Sequence, residues 1–189
     1  MGLFKNIFGR SDPPQANLDN LFAVPSAAIT LQAASGFTAT GLGSVCYRPA
    51  EGGAFATTQN DVQQLLDADA GPKVERSTDD FGFTWLVCRQ DPSDVSALVT
   101  DLHAVNSSLE NAGFGAALLC SLVAFADASG RTFGLVYLYK QGTFYPFAPT
   151  GNHKRDNALE LQVKGQLEGD LTIESELGRW LAVWGAPGL

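Results

Sequence analysis

Residues 83–126 read FTWLVCRQDPSDVSALVTDLHAVNSSLENAGFGAALLCSLVAFA and combine two strand-like runs with the strongest helical pattern of the chain. The first run, residues 83–89, is apolar on both faces, which is typical of an interior strand. The helical part carries one apolar stripe, formed by Val95, Leu98, Val99, Leu102, Val105 and Leu109. This spacing predicts a core helix over residues 92–112, with Asp91 as its N-cap and Pro92 at the first helical position.

Shorter patterns on both sides of this unit predict the remaining elements. We predict strands within residues 37–48 (one or two), 73–77 (at an edge), 83–89, 118–126, 131–140 and 143–147. We predict helices over residues 18–34, 58–70, 92–112 and 157–167, and a last helix from the spacing of Leu177, Trp180, Leu181 and Trp184. The order is roughly α-β-β-α-β-β-α-β-β-β-α-α. Short turns between strands force antiparallel pairing, so the predicted class is α+β, a mostly antiparallel sheet with helices on one or both faces.

The 189 residues suit a single domain with short extensions. Residues 1–10 form a separate arm with two cations and no carboxylate, and residues 11–16 contain a Pro-Pro pair and are typical of a linker. We therefore divide the chain into the arm, the linker, an α+β domain over residues 17–174 and a Trp-containing C-terminal arm over residues 175–189.

The charge balance argues against nucleic acid as a partner. Twelve Lys and Arg residues stand against twenty Asp and Glu residues, a formal net charge of −8, and such a surface repels phosphate. No apolar run reaches the roughly 20 residues of a membrane span, and the first residues lack a secretory signal. These features predict a cytoplasmic location. The three cysteines, Cys46, Cys88 and Cys120, lie in apolar strand-like runs, which predicts buried reduced thiols.

No known catalytic signature occurs in the sequence. The two histidines, His103 and His153, are far apart, and no CxxC pair accompanies them, so a zinc site is not indicated. The glycines at 36, 41 and 43 have neither P-loop nor dinucleotide-binding spacing. We expect no catalytic residues, no metal and no cofactor.

The N-terminal arm has an amphipathic pattern. On a helical wheel its large apolar residues share one side, and these are Leu3, Phe4, Ile7 and Phe8. Lys5 and Arg10 lie on the rest of the wheel, as in helices that bind membrane interfaces. The pattern predicts weak contact with an anionic membrane surface at the inner face of the membrane. Docking of the arm on the core of the same protein is an equally open alternative.

A basic loop and an aromatic-rich region are two further candidate sites. His153, Lys154 and Arg155 precede a predicted helix N-terminus, where they could bind a phosphate or the carboxylates of a partner. The alternative is a solvated loop in which Asp156 caps the helix. A possible partner-binding surface is formed by Tyr137, Tyr139, Phe144, Tyr145, Trp180 and Trp184. Packing of these aromatic residues in the core is the competing interpretation.

Five stretches distributed along the whole chain resemble the PspA-associated protein family PspAB. They are residues 21–28 (LFAVPSAA), 80–86 (DFGFTWL), 139–149 (YKQGTFYPFAP), 155–161 (RDNALEL) and 184–189 (WGAPGL). The resemblance implies a link to the bacterial phage-shock envelope-stress response, whose PspA protein is a membrane-remodelling coiled coil. It implies a PspA-like coiled-coil partner. The resemblance implies no catalytic residues.

Two functional hypotheses follow. The first is a non-enzymatic cytosolic adaptor that joins a PspA-type membrane-stress complex. The second is a small-ligand-binding protein or enzyme that uses the loop 151–156 and the aromatic region. A pocket joining His153, Lys154 or Arg155 to Tyr145 and a carboxylate would favour the second, whereas an aromatic patch without convergent polar groups would favour the first. The oligomeric state stays open.

Overall fold

A computed structural model describes residues 17–68 and 71–189 of the chain. The helices are α1 (Val24–Ser35), α2 (Gly53–Leu66), α3 (Val95–Leu109) and α4 (Asn157–Leu167). The strands are β1 (Thr38–Tyr47), β2 (Glu75–Thr78), β3 (Thr84–Arg89), β4 (Leu118–Ala126), β5 (Thr132–Leu138) and β6 (Thr143–Phe147). The predicted α+β class is confirmed. The predicted arm (1–10) and linker (11–16) lie outside the described residues.

The strands form one antiparallel sheet with the order β2-β3-β1-β4-β5-β6. The predicted edge strand, β2, occupies one edge, and a single strand, β1, lies where the sequence allowed one or two. Both β3 and β4 pair with β1 in the antiparallel sense, so they run parallel to each other with β1 between them. The helix α3 therefore connects two parallel strands that are not adjacent in the sheet.

The helix starts and stops follow local capping chemistry. The side chain of Asn17 accepts a hydrogen bond from the backbone N–H of Asp19 and begins a short 3-10 turn that leads into α1. Pro25 lies in the first turn of α1, and Gly36 ends that helix with a φ of 74°, a conformation that glycine adopts without strain. The 3-10 turn (Leu18–Ala23) and α1 (Val24–Ser35) occupy the stretch in which one helix over residues 18–34 was predicted.

The predicted N-cap of α3 is wrong. Asp94, rather than Asp91, is the N-cap, and its carboxylate accepts a hydrogen bond from the N–H of Ala97 at 2.9 Å. The carboxylate of Asp91 instead binds the N–H and hydroxyl of Ser93, which closes a separate turn before the helix. The helix therefore begins at Val95, three residues later than predicted.

Within residues 17–68 and 71–189, the helices cover one face of the sheet. Residues of the apolar stripe of α3, including Leu98 and Leu102, pack with buried residues of α1, α2 and α4 on this face. The opposite face carries a second apolar cluster that includes no helical residue. It is covered by residues 175–189, which we call the C-terminal segment, chiefly through Trp180 and Ala186.

The last predicted helix is absent. The C-terminal segment contains only one short 3-10 turn, Leu177–Arg179. Leu177 and Leu181 are exposed while Trp180 is buried, so the helically spaced residues do not form one buried stripe. The carbonyl oxygens of Trp180 and Leu181 accept hydrogen bonds from side chains of the domain, which holds the segment in an irregular conformation.

Candidate functional site: an apolar groove beneath the C-terminal segment

A cavity of about 440 Å³ lies beneath the C-terminal segment. Its floor is a row of side chains placed side by side across β3, β1, β4 and β5, namely Trp85, Cys46, Cys120 and Leu138. Residues 181–184 form one wall, and Phe81 and Phe83 from the turn before β3 form another. The cavity, here called the central cavity, therefore lies between the sheet and the C-terminal segment.

Asp79 holds the wall that the β2–β3 turn contributes. Its Oδ1 atom accepts hydrogen bonds from the N–H groups of Phe81 and Phe83, each at 2.9 Å. Its Oδ2 atom accepts one from the indole Nε1 of Trp85, also at 2.9 Å. The carboxylate of Asp79 therefore holds the turn at Phe81 and Phe83 and the indole ring of Trp85 in place.

Tyr145 ties the C-terminal segment to β6. Its hydroxyl donates a hydrogen bond to the carbonyl oxygen of Leu181 at 2.9 Å, and its ring stacks on Trp180 with 5.9 Å between the centroids. Burial raises the pKa of Tyr145 well above its ordinary value, so the hydroxyl remains a protonated donor. The indole of Trp180 donates to the carbonyl oxygen of Glu174 at 2.9 Å, which anchors the segment a second time.

The three cysteines are free and buried, as predicted. Cys46 and Cys120 lie directly opposite each other on β1 and β4 and line the central cavity. A hydrogen bond to Cys120, together with burial, raises the pKa of the Cys46 thiol far above its usual range. Cys88 belongs to the cluster on the helical face, and burial raises its pKa to about 12. Neither Cys46 nor Cys88 is therefore a thiolate at neutral pH.

Two shallower recesses adjoin the central cavity and share residues with it. The acidic recess, of about 400 Å³, shares Asp79, Phe81 and Trp184 with the cavity and adds Asp80 and His153. The other recess, of about 270 Å³, shares Leu119, Leu138 and Leu181 and adds Lys140 and Arg179, so we call it the basic recess. The cavity and its two recesses, together called the groove, have a mostly apolar centre, whose lining also includes Arg48 and Asp79, and ends of opposite charge.

The predicted basic loop does not form one anion site, because its three residues separate. The Nε atom of Arg155 lies 2.8 Å from Glu160 Oε1, and its Nη1 atom donates to the carbonyl oxygen of Trp180 at 2.6 Å. Its guanidinium group also lies 5.0 Å from the centre of the Phe147 ring. Arg155 is therefore engaged in internal contacts through Nε and Nη1, while its Nη2 atom is buried without a hydrogen-bond partner and the residue lines a separate recess of about 280 Å³.

The rest of that loop is exposed. His153 has a φ of 52° and lines the acidic recess, with its ring edge-on to Trp184 at 5.2 Å between the centroids. Lys154 is exposed. Asp156 caps α4 by accepting a hydrogen bond from the N–H of Leu159 at 2.9 Å, as the alternative interpretation of the loop expected.

Most of the predicted aromatic surface is core. Five of its members are between 1% and 6% exposed, and they are Tyr137, Tyr139, Phe144, Tyr145 and Trp180. The first three pack under the helices and the last two under the C-terminal segment. Successive residues of a strand point to opposite faces of the sheet. Both faces are covered here, so the aromatic residues of the strands are buried whichever face they point to. Only Trp184 of the set is partly exposed.

The sequence prediction missed the apolar residues that do reach solvent beside the central cavity. Phe81 is 63% exposed and Leu181 is 62% exposed. An aspartate followed two residues later by an aromatic residue in a turn signals a backbone bend, but this pattern does not show where the ring points. The lining of the groove also joins residues more than a hundred positions apart, such as Cys46 and Trp184, which no local pattern reveals.

Two searches of the described residues bear on other classes of site. Within residues 17–68 and 71–189, no group of three or more His, Cys, Asp or Glu residues is placed to hold a metal ion. In the same part of the chain no helix has both the length and the apolar character to cross a bilayer. The predicted membrane-contacting residues lie outside the described part, and they are Leu3, Phe4, Lys5, Ile7, Phe8 and Arg10.

The fold and site define an α+β protein whose sheet carries helices on one face and an apolar groove beneath a C-terminal segment on the other. The chain belongs to the PspAB family, described as PspA associated protein B, which matches residues 1–188. The resemblance seen in the sequence is thereby confirmed. No curated protein and no solved structure gives a significant match.

Proposed function

We propose that this protein is a non-enzymatic adaptor that associates with a PspA-type coiled-coil protein in the envelope-stress response. The observation that carries the proposal is the family match over residues 1–188, because that family is described by its association with PspA. The match extends over nearly the whole chain, so the proposal concerns the protein as a unit rather than one segment.

The chemistry of the central cavity supports a binding role over a catalytic one. A general acid or base must point toward a reacting group. Here the carboxylate of Asp79 and the hydroxyl of Tyr145 are occupied in hydrogen bonds that hold the cavity walls. The raised pKa of the Cys46 thiol also disfavours the thiolate that nucleophilic chemistry needs. These groups build a shaped apolar surface.

The proposal includes a place of action, the cytoplasmic face of the membrane. The support comes from the sequence of residues 1–10, where Lys5 and Arg10 accompany four large apolar residues. Cations near an anionic leaflet each gain about 1 kcal/mol, so such a segment adds a weak, salt-dependent membrane contact. The adaptor would then meet its partner near the surface that the partner remodels.

A direct binding measurement tests the adaptor role. The full chain is purified and immobilised, and the PspA-type protein encoded in the same genome is passed over it in biolayer interferometry. Specific, saturable binding is expected. An unrelated coiled-coil protein of similar length and net charge is the control. Binding no stronger than to this control would overturn the proposal.

A second candidate function is the binding of a small apolar molecule in the central cavity. Its volume of about 440 Å³ favours this candidate, because it falls in the size range of small-molecule sites. Native mass spectrometry of protein purified from its own cells should then show a bound mass. The variant Ala182→Trp, which places a large ring at an exposed lining position, should lose that mass. An unoccupied wild-type chain would count against this candidate.

A further inference from the structure

We infer that the groove is the docking site for one amphipathic helix of the PspA-type partner. In this arrangement a large apolar side chain of the helix enters the central cavity, acidic side chains lie toward Lys140, and basic side chains lie toward Asp80. The inference rests on the proposed function, which names the partner. It adds the surface at which the partner binds, the helix that binds there and the charge pattern of that helix.

The first support is the exposed apolar rim of the central cavity. Phe81 and Leu181 both line the cavity and are 63% and 62% exposed. Isolated exposed apolar residues are common on protein surfaces, but here two of them border the same largely apolar cavity. Protein interfaces concentrate their binding energy at such places, where an anchor residue of one partner fills a pocket of the other.

The second support is that Asp79 and Tyr145, two polar side chains of the cavity lining, already have hydrogen-bond partners, while the guanidinium group of Arg48 lies 5.9 Å from the centre of the Phe83 ring. Asp79 accepts three hydrogen bonds from the wall that it supports, and the Tyr145 hydroxyl is bound to the carbonyl oxygen of Leu181. An apolar side chain can therefore enter the cavity without leaving these groups short of hydrogen-bond partners. A leucine, methionine or phenylalanine from a partner fits this lining better than a polar ligand does.

The third support is the charge pattern at the two ends of the groove. Lys140 lies in the basic recess and Asp80 in the acidic recess, on either side of the apolar cavity. Among the described residues, neither of these two side chains forms an ion pair. Helices of coiled-coil proteins carry charged residues of both signs beside an apolar seam. One such helix laid along the groove presents an apolar anchor between an acidic and a basic side chain.

The charge of the whole chain argues for a different protein rather than a second copy as the occupant. The formal net charge of −8 makes two copies repel each other. The groove is also held in shape without a partner, since Arg155 binds the carbonyl oxygen of Trp180 and Tyr145 binds that of Leu181. A preformed groove reduces the ordering cost of binding.

Exposed groove residues allow a test that does not depend on refolding the core. Phe81→Asp and Leu181→Asp are compared with the wild-type chain in binding to the full-length PspA-type protein by biolayer interferometry. Each variant should raise the dissociation constant by about tenfold or more. The matched control is Ile29→Asp, which makes the same kind of change at a residue of α1 that is 71% exposed, and its dissociation constant should stay within about twofold.

Charge reversals test the orientation of the helix. Lys140→Glu and Asp80→Lys should each weaken binding, and the loss should be larger at low salt because screening is then weaker. Unaltered circular dichroism and melting temperature of the variants establish that they remain folded. Loss of binding in all groove variants, with the Ile29→Asp control intact, supports the inference.

The outcomes separate this inference from the proposed function. If the wild-type chain fails to bind the PspA-type protein, the adaptor role fails and the inference falls with it. If the wild-type chain binds and the groove variants bind equally well, only the inference is overturned, because the partner uses another surface. A wild-type dimer in sedimentation that Phe81→Asp dissociates would also overturn it, since a second copy would then occupy the groove.

Discussion

Arg155 and Glu160 form an ion pair inside the domain, with 2.8 Å between the Nε and Oε1 atoms and only 4% of the Glu160 side chain exposed. The same carboxylate oxygen accepts a hydrogen bond from the N–H of Ala148, and Arg155 also donates to the carbonyl oxygen of Trp180. The pair therefore joins the residues after β6, the helix α4 and the C-terminal segment. It connects the cover of the groove to the rest of the fold.

Removal of the arginine should be strongly destabilising. Arg155→Ala leaves the buried Glu160 without its cation, and breaking such a pair costs about 3–5 kcal/mol of unfolding free energy. The double variant Arg155→Ala with Glu160→Gln should recover part of this loss, because glutamine carries no charge and its carbonyl oxygen can still accept the Ala148 N–H. Urea unfolding of Arg155→Ala, Glu160→Gln and the double variant measures the coupling between the two side chains. Strictly additive losses would show that the two side chains are not coupled.

The two tryptophans of the C-terminal segment should differ in their contribution to stability. Trp180 is 6% exposed, stacks on Tyr145 and donates to the carbonyl oxygen of Glu174, so Trp180→Ala should cost about 3–5 kcal/mol. Trp184 is only partly buried, and Trp184→Ala should cost clearly less. Thermal and urea unfolding provide the measurement. Equal losses would mean that the segment is not anchored mainly at Trp180.

Local patterns in the sequence predicted several elements well, because their determinants lie within the element. The strands 118–126 and 143–147 and the helix 157–167 have their predicted bounds. The predicted start of α3 was wrong because Asp91 and Asp94 are both suitable N-caps in the sequence. In the structure the carboxylate of Asp91 binds Ser93, and Asp94 caps the helix.

The groove itself could not be predicted in this way. On β6 the neighbours Phe144 and Tyr145 point to opposite faces, yet each is only 1% exposed, because the C-terminal segment covers the face that lacks helices. That coverage is a long-range property of the fold. It buries Tyr145 and Trp180 of the expected aromatic surface, and it places Leu181 on the lining of the cavity that Phe81 also lines.

The apolar stripe of α3 should dominate the core on the helical face. Leu102 is fully buried in the cluster shared by the helices, and Leu102→Ala should cost about 2–5 kcal/mol in urea unfolding. The matched control is Leu65→Ala in α2, where the leucine is 60% exposed, and it should change stability by less than about 0.5 kcal/mol. A loss below that value for Leu102→Ala would contradict the packing of α3.

The buried thiols should react slowly in the folded protein. Their raised pKa should also make the folded state less stable at high pH. Iodoacetamide attacks the thiolate, so labelling at pH 8 should be slow in the native state and fast in urea. Burial raises the pKa of Cys88 from 9.0 to about 12. Below pH 9 this thiol is protonated in both states, and between pH 9 and 12 only the unfolded state releases its proton, so stability falls as the pH rises. Cys88→Ala should make that fall shallower, and rapid native labelling would contradict the prediction.

Residues 1–10 should carry the membrane contact. Lys5 and Arg10 are two of the twelve Lys and Arg residues, and none of the twenty Asp and Glu residues lies in this stretch, so the remaining chain has a formal charge of −10. An anionic vesicle repels that remainder and attracts the arm, and salt should weaken binding. Deleting residues 2–10 should abolish co-sedimentation with anionic vesicles without lowering the melting temperature. The charge reversals Lys5→Glu and Arg10→Glu should also abolish it while keeping the apolar residues. A deletion that lowers the melting temperature, in a protein whose intact form does not sediment with vesicles, would instead assign these residues to the core.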